Sequence, residues 1–136
     1  MQNQVWDQLV RKYPDNVFYA ISWQCDINTE KLQAVVHTKT VFDKYEQEWK
    51  KSDHAKLAIV KEGKAIVCVS DLNLAVTQAD RPGGLLCHEN EGWQTAFSQT
   101  FTYTTKEEKE KKDAEENEKE DVEEKEKNKT KTKSLK

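Results

Sequence analysis

The 136-residue chain has no apolar stretch approaching the length of a membrane span. Its start, MQNQVWDQLV, lacks the basic-then-apolar pattern of a secretory leader, so nothing visible in it routes the chain out of the cytosol. An excess of one charge is missing too. Residues 1–105 carry 11 Lys and Arg against 13 Asp and Glu, a net −2. A body so balanced has no broad electrostatic footprint for nucleic acid, and any phosphate recognition in it must be local. Internal repeats are absent, and cysteine is scarce, at three residues.

What is abundant is charge of both signs at one end. From Lys106 to Lys136, 23 of 31 residues are Lys, Asp or Glu, and only Ala114, Val122 and Leu135 are apolar. Such a segment cannot bury enough surface to offset the entropy of ordering it. It reads as a mixed-charge tail, disordered or a solvated helix without a partner. Its 11 lysines and 12 acids nearly cancel, so by count it is neither a basic nucleic-acid arm nor an acidic decoy. The sequence therefore divides into a body, residues 1–105, and a tail, residues 106–136.

Within the body, QVWDQLVRKY places Val5, Trp6, Leu9, Val10 and Tyr13 at helical spacing, stopped by Pro14-Asp15-Asn16. NVFYAISW predicts a buried strand, and KLQAVVHT a weaker one. DKYEQEWKKSD fits a loop or a short helix. AKLAIVKEGKAIVCVSD is the clearest element, two apolar runs about a Glu62-Gly63 turn, hence a β-hairpin. LNLAVTQADRPGG is a long turn-rich connection, and GWQTAFSQTF a short closing helix. Strands with helices at both ends give an α/β or layered α+β fold with a mixed sheet.

The chemistry concentrates where that hairpin begins. In SDHAKLAI, His54 and Lys56 are two apart, so in an extended chain they share a face. A neutral imidazole can attack phosphorus, and an ammonium can neutralise a phosphoryl oxygen. SDLN closes the next strand, and the Asn73 amide can donate to a further oxygen. An H-x-K pair alone is a weak signal, because a solvated strand end accounts for it equally well.

The neighbouring segments make the pattern specific. SDHAKLAI, IVCVSDLN and ADRPGGLLCHENEGWQTAF, in that order and spacing, resemble the C-terminal half of the deoxyribonuclease II family. Typical members show D-H-[SA]-K-W, C-[VI]-G-D-x-N-R, R-G-G-G-x-x-C and a final W-x-A-F helix. The opening VWDQLVRKYPDNVFYAISW is similar to the family's first helix and its strand ending in Trp. The resemblance spans roughly residues 4–103 and implies a phospholipase-D-like fold in which two H-x-K half-domains meet at one active site. It implies His54 as the phosphate-attacking or proton-donating histidine, Lys56 as phosphate ligand and Asn73 as a phosphate-orienting amide. It further implies DNA as substrate, no metal or other cofactor, and a secreted or lysosomal setting. Hydrolysis would pass through a phosphohistidine at mildly acid pH, since an unperturbed imidazole titrates near 6.5.

The chain departs from that pattern at Leu57 (tryptophan in the family), Ser70 (glycine), Leu74 (arginine) and Pro82 (glycine). Leu74 removes a guanidinium expected beside the phosphate. The family's N-terminal half, with its own H-x-K, has no counterpart. VVHTKTVFD is no replacement: His37 lies only 17 residues before His54 and reads as a strand-end histidine without chemistry. A second half-site must then come from a second copy of the chain or from a missing half, and a membrane partner is not expected. The resemblance also pairs Cys68 with Cys87, in a disulfide that would contribute about 3 kcal/mol. The alternative is two reduced buried thiols. Cys25 is left outside that pairing. A zinc site of Cys68, Cys87 and His88 has unsuitable spacing. Asp53, Asp71 and Asp80 read as turn or capping residues rather than an acid–base set. Asn128-Lys129-Thr130 is the only N-x-[ST] sequon, usable only in a secreted chain. Two functions remain open: a deoxyribonuclease II-like endonuclease with a half-complete site, or a non-catalytic binding module of nuclease-like surface.

Overall fold

The computed structural model describes residues 4–23, 25, 27–49 and 54–135. They fall into two units, Met1–Lys106 and Glu107–Lys136.

In the first unit, helix α1 (Gln4–Lys12) precedes strands β1 (Val17–Ile21), β2 (Leu32–Phe42), β3 (Tyr45–Trp49), β4 (Leu57–Glu62), β5 (Ile66–Ser70) and β6 (Leu85–Glu89). Helix α2 (Glu91–Thr100) and strand β7 (Phe101–Thr105) follow. The seven strands form one mixed sheet in the order β3-β2-β1-β4-β5-β6, with β7 paired to β2. Only β1 and β2 run parallel; the other pairs are antiparallel. The expected layered α+β architecture with a mixed sheet is what the chain forms.

Strand alternation explains the two cores. Phe18, Ala20, Ala58, Val60, Ile66 and Cys68 project to one face, where Trp6 and Leu9 of α1 cover them. Their odd neighbours Ile21, Ile59 and Val67 project to the other face, with Phe97 of α2 and Tyr103 packed against them. Fully burying each such large side chain contributes about 1.5–3 kcal/mol. The helices thus sandwich the sheet because every central strand is apolar on both faces.

The β4–β5 hairpin turns at Gly63, whose φ is 108°. The side chain of the buried Asn16 is clamped to this turn: its amide donates to the Lys64 carbonyl at 3.0 Å and its oxygen accepts from the Lys64 N–H at 3.1 Å. A Cβ on Gly63 would collide with that same Asn16 oxygen, so glycine is required for space as well as for φ.

Three strand assignments differ from the expectation. Tyr45–Trp49, inside the stretch expected to be loop or helix, is edge strand β3, reached through Asp43 at φ 54°. Its Glu46-Gln47-Glu48 core has no apolar alternation; backbone pairing to β2 makes it a strand, and charge on an edge discourages further pairing. β6, Leu85–Glu89, falls between the expected connection and the closing helix, where no element was predicted, and β7, Phe101–Thr105, begins at the last residue of that helix. β2 also runs four residues past the predicted end, so His37 sits inside it, beside a register shift between Val35 and His37.

The second unit consists mainly of helix α3 (Lys106–Ser134), which has no buried residue. Deleting residues 107–136 is expected to change the folding free energy of the body by no more than about 0.5 kcal/mol. A melting temperature lowered by several degrees on truncation would contradict this.

Candidate functional site

β4 begins at Leu57, so His54 and Lys56 lie on the extended approach to the hairpin rather than within its first strand. The ladder nevertheless reaches Lys56: the Ser70 N–H donates to its carbonyl at 2.9 Å. Asn73 follows Ser70 by three residues, so topology brings the backbones of the 54–56 and 70–73 segments to one end of the sheet.

The side chains there are placed unequally. His54 is exposed, and its ring stacks on Trp23 with centroids 4.8 Å apart and planes 13° from parallel. Stacking fixes the plane of an imidazole while leaving its in-plane nitrogens outside the contact. Lys56 is half-buried, and its ammonium donates to the His54 carbonyl at 3.2 Å. A cation held on its neighbour's carbonyl must exchange that bond for any phosphate oxygen it is to bind. Asn73 is only 4% exposed.

Asn73 is positioned by residues that no motif indicated. Its N–H donates to the Gln78 side-chain oxygen at 2.8 Å, and the following N–H, of Leu74, donates to Ser22 Oγ at 2.9 Å. One residue earlier, the indole N–H of the buried Trp6 donates to the Leu72 carbonyl at 3.3 Å. Strand β1's exit, helix α1 and the turn at Val76–Gln78 thus converge on one tripeptide. Ser22, Gln78 and Trp23 carry no spacing signal; only the Trp23 match to the family's strand end pointed to any of them.

The other candidates resolve as follows. Asp71 accepts from the Gly84 N–H at 3.0 Å, and Ser70 Oγ donates to the Gly84 carbonyl at 3.0 Å, which pins both ends of the 71–84 loop. A Cβ at Gly83 would come within 2.6 Å of the Asp71 carboxylate and of Leu72. Asp71 is therefore a loop clamp, Asp80 is exposed, and Asp53 lies outside the described residues. His37 faces Glu48 at 3.6 Å across the β2–β3 hairpin. Leu74, where an arginine was expected, is fully buried in the core against which α1 packs. Tyr13 donates to Glu89 at 3.1 Å; burial first, then that hydrogen bond, raises the phenol above its ordinary 10.0.

Cys68 and Cys87 are disulfide-bonded across the neighbouring strands β5 and β6, with Cα atoms 4.0 Å apart. Both sulfurs are thereby withdrawn from the zinc set with His88, whose ring instead meets Trp93 edge-on at 5.0 Å. Cys25 forms no disulfide, and its thiol donates to the Ile27 carbonyl at 3.6 Å. Reducing the bond, or Cys87→Ser, is expected to cost about 3 kcal/mol for a loop of this length. Denaturant midpoints with and without reductant measure it; coincident midpoints would mean that the bond contributes nothing.

Comparison with known proteins gives one finding: the family model described as Deoxyribonuclease II matches residues 1–107. No curated protein and no solved structure matches the chain.

Proposed function

The chain belongs to the deoxyribonuclease II family, and from that premise we propose that it supplies one half-site of a DNA phosphodiesterase working through a phosphohistidine. One observation carries this reading: His54, the histidine of the family's H-x-K pattern, is exposed and held in a fixed plane by Trp23 at the end of the sheet where the Asn73 segment also lies.

The chemistry assigned to the site is a double displacement. A neutral imidazole nitrogen attacks phosphorus, an N–P bond forms, and the bridging P–O bond breaks. The departing oxygen takes a proton from a second, cationic histidine. That histidine, now neutral, removes a proton from water, whose oxygen attacks phosphorus and releases the first imidazole. One histidine neutral and one cationic coexist most readily around the ordinary imidazole range, which favours mildly acid solution. Lys56 would neutralise a non-bridging oxygen after leaving the His54 carbonyl, and Asn73 would orient another. The second histidine must come from a second copy of this chain or from a further half-domain. A secreted or lysosomal setting accords with the disulfide. Among the described residues, no helix is long and apolar enough to cross a membrane.

The direct test is to trap the intermediate. A single-turnover reaction with end-labelled DNA, quenched in alkali, should leave label on the peptide containing His54 and release it in acid. Label on another residue, or none during demonstrable turnover, would overturn the assignment.

A second reading has an observation of its own. Lys56 bonds its own chain, Asn73 is buried, and Leu74 stands in the core where the family's pattern has arginine. These three favour a nuclease-like module that binds DNA without cleaving it. Binding that survives His54→Ala, with no cleavage at any pH, would select that reading.

A further inference from the structure

Neither reading uses the tail, and its helical state changes what its charges can do. By count they nearly cancel. By order along α3 they do not: residues 106–126 hold 12 acids and 6 lysines, whereas residues 127–136 hold five lysines and no acid. A flexible chain would fold one block onto the other. A helix keeps them apart. At 1.5 Å per residue, the block centres are separated by about 22 Å. That exceeds two Debye lengths at physiological ionic strength, about 8 Å each, so the acidic block does not neutralise the basic one.

Local pairing does not neutralise it either. Lys127 has Glu123 and Glu124 one turn back, and Lys129 has Glu126. Lys131 and Lys133 have no acid three or four residues away in either direction. All four lysines are exposed, and among the described residues none of them forms an ion pair. The Thr130 and Thr132 hydroxyls bond back to the Glu126 and Asn128 carbonyls at 3.0 and 2.9 Å, within a helix that continues to Ser134. Favourable interaction with the helix dipole accounts for cations in the last turn. It does not account for a run that begins two turns before the end.

We propose that residues 127–135 form a sequence-independent docking end for the phosphate backbone of duplex DNA. The choice of DNA rests on the family reading; the capacity for a polyanion rests on the helix alone. An anionic membrane is the poorer fit, because an interfacial helix needs an apolar face and Leu135 is the only apolar residue in this run. At 100° per residue, Lys129 and Lys133 share one face and Lys127 and Lys131 the opposite one, so about two lysines can meet one backbone at a time.

Fluorescence anisotropy of a labelled DNA duplex across a salt series tests this, using the full chain and its Lys127→Gln, Lys129→Gln, Lys131→Gln, Lys133→Gln variant. His54→Ala is carried in both to prevent cleavage. Glutamine keeps helix propensity close to that of lysine, and circular dichroism verifies it. The slope of log K against log salt is expected to be steeper by about 2 units with the lysines present, at ~0.9 per phosphate contacted. Equal slopes and affinities would overturn the proposal. So would an unchanged DNA slope accompanied by lost binding to phosphatidylserine vesicles. The measurement does not require catalysis, so it stands or falls separately from the nuclease reading.

Discussion

DNA cleavage by this chain is expected to rise more than in proportion to protein concentration, to persist in a metal chelator and to vanish in His54→Ala. The argument is stoichiometric. A phosphohistidine cycle needs one histidine as nucleophile and another as acid, and the body offers a single H-x-K in a suitable setting. His37 does not replace the missing partner, because it lies within β2 against Glu48 rather than beside His54. A two-fold pair of chains supplies two copies of His54 at one interface, and self-complementary pairing of that kind is the commonest form of oligomer. The monomer, lacking a positioned acid, should be slower by about 10²–10⁴-fold, and His54→Ala should lose at least as much. Initial rates across a concentration series, with oligomeric state measured in parallel, decide the matter. Constant specific activity from a demonstrated monomer would refute the need for two halves. Loss of activity in chelator would reject the phosphohistidine route.

The second large effect concerns Leu74. Restoring the family's arginine there, Leu74→Arg, is expected to destabilise the body by about 3–5 kcal/mol and to leave cleavage unimproved. Leu74 is fully buried in the core that includes Trp6 and Phe18, and its N–H is bonded to Ser22. The substitution forfeits the burial of a leucine and forces an unpaired guanidinium either into that core or out through the 71–84 loop. For a body of this size, the cost corresponds to a melting temperature lower by more than about 10 °C. A variant as stable as the parent, with faster cleavage, would show that position 74 faces phosphate after all.

The tail shows how far composition reaches. Its scarcity of apolar residues leaves little to bury, and α3 has no buried residue. Charge counting, however, treats the segment as neutral. Only a rigid helix turns the order of its charges into two separate poles.

Other features divide along the same line. The hairpin at Gly63, the helix at Trp6 and the two-faced central strands were legible because hydrophobic periodicity and turn chemistry are local and each residue carries its own signal. The resemblance over the H-x-K, Asn73 and cysteine segments was legible because those residues recur as ordered motifs. What only the tertiary structure decided involves groups distant in sequence or bonds made by the backbone. Edge strand β3 is held by main-chain hydrogen bonds to β2, which leave no trace in its side chains. Trp23 reaches His54 across 31 residues, and Ser22 reaches Leu74 across 52. The burial of Leu74 depends on where α1 lands, through the Trp6–Leu72 bond spanning 66 positions. A sequence specifies which groups are apolar, charged or able to bond, but which of them meet is settled only when the sheet and its covering helices close.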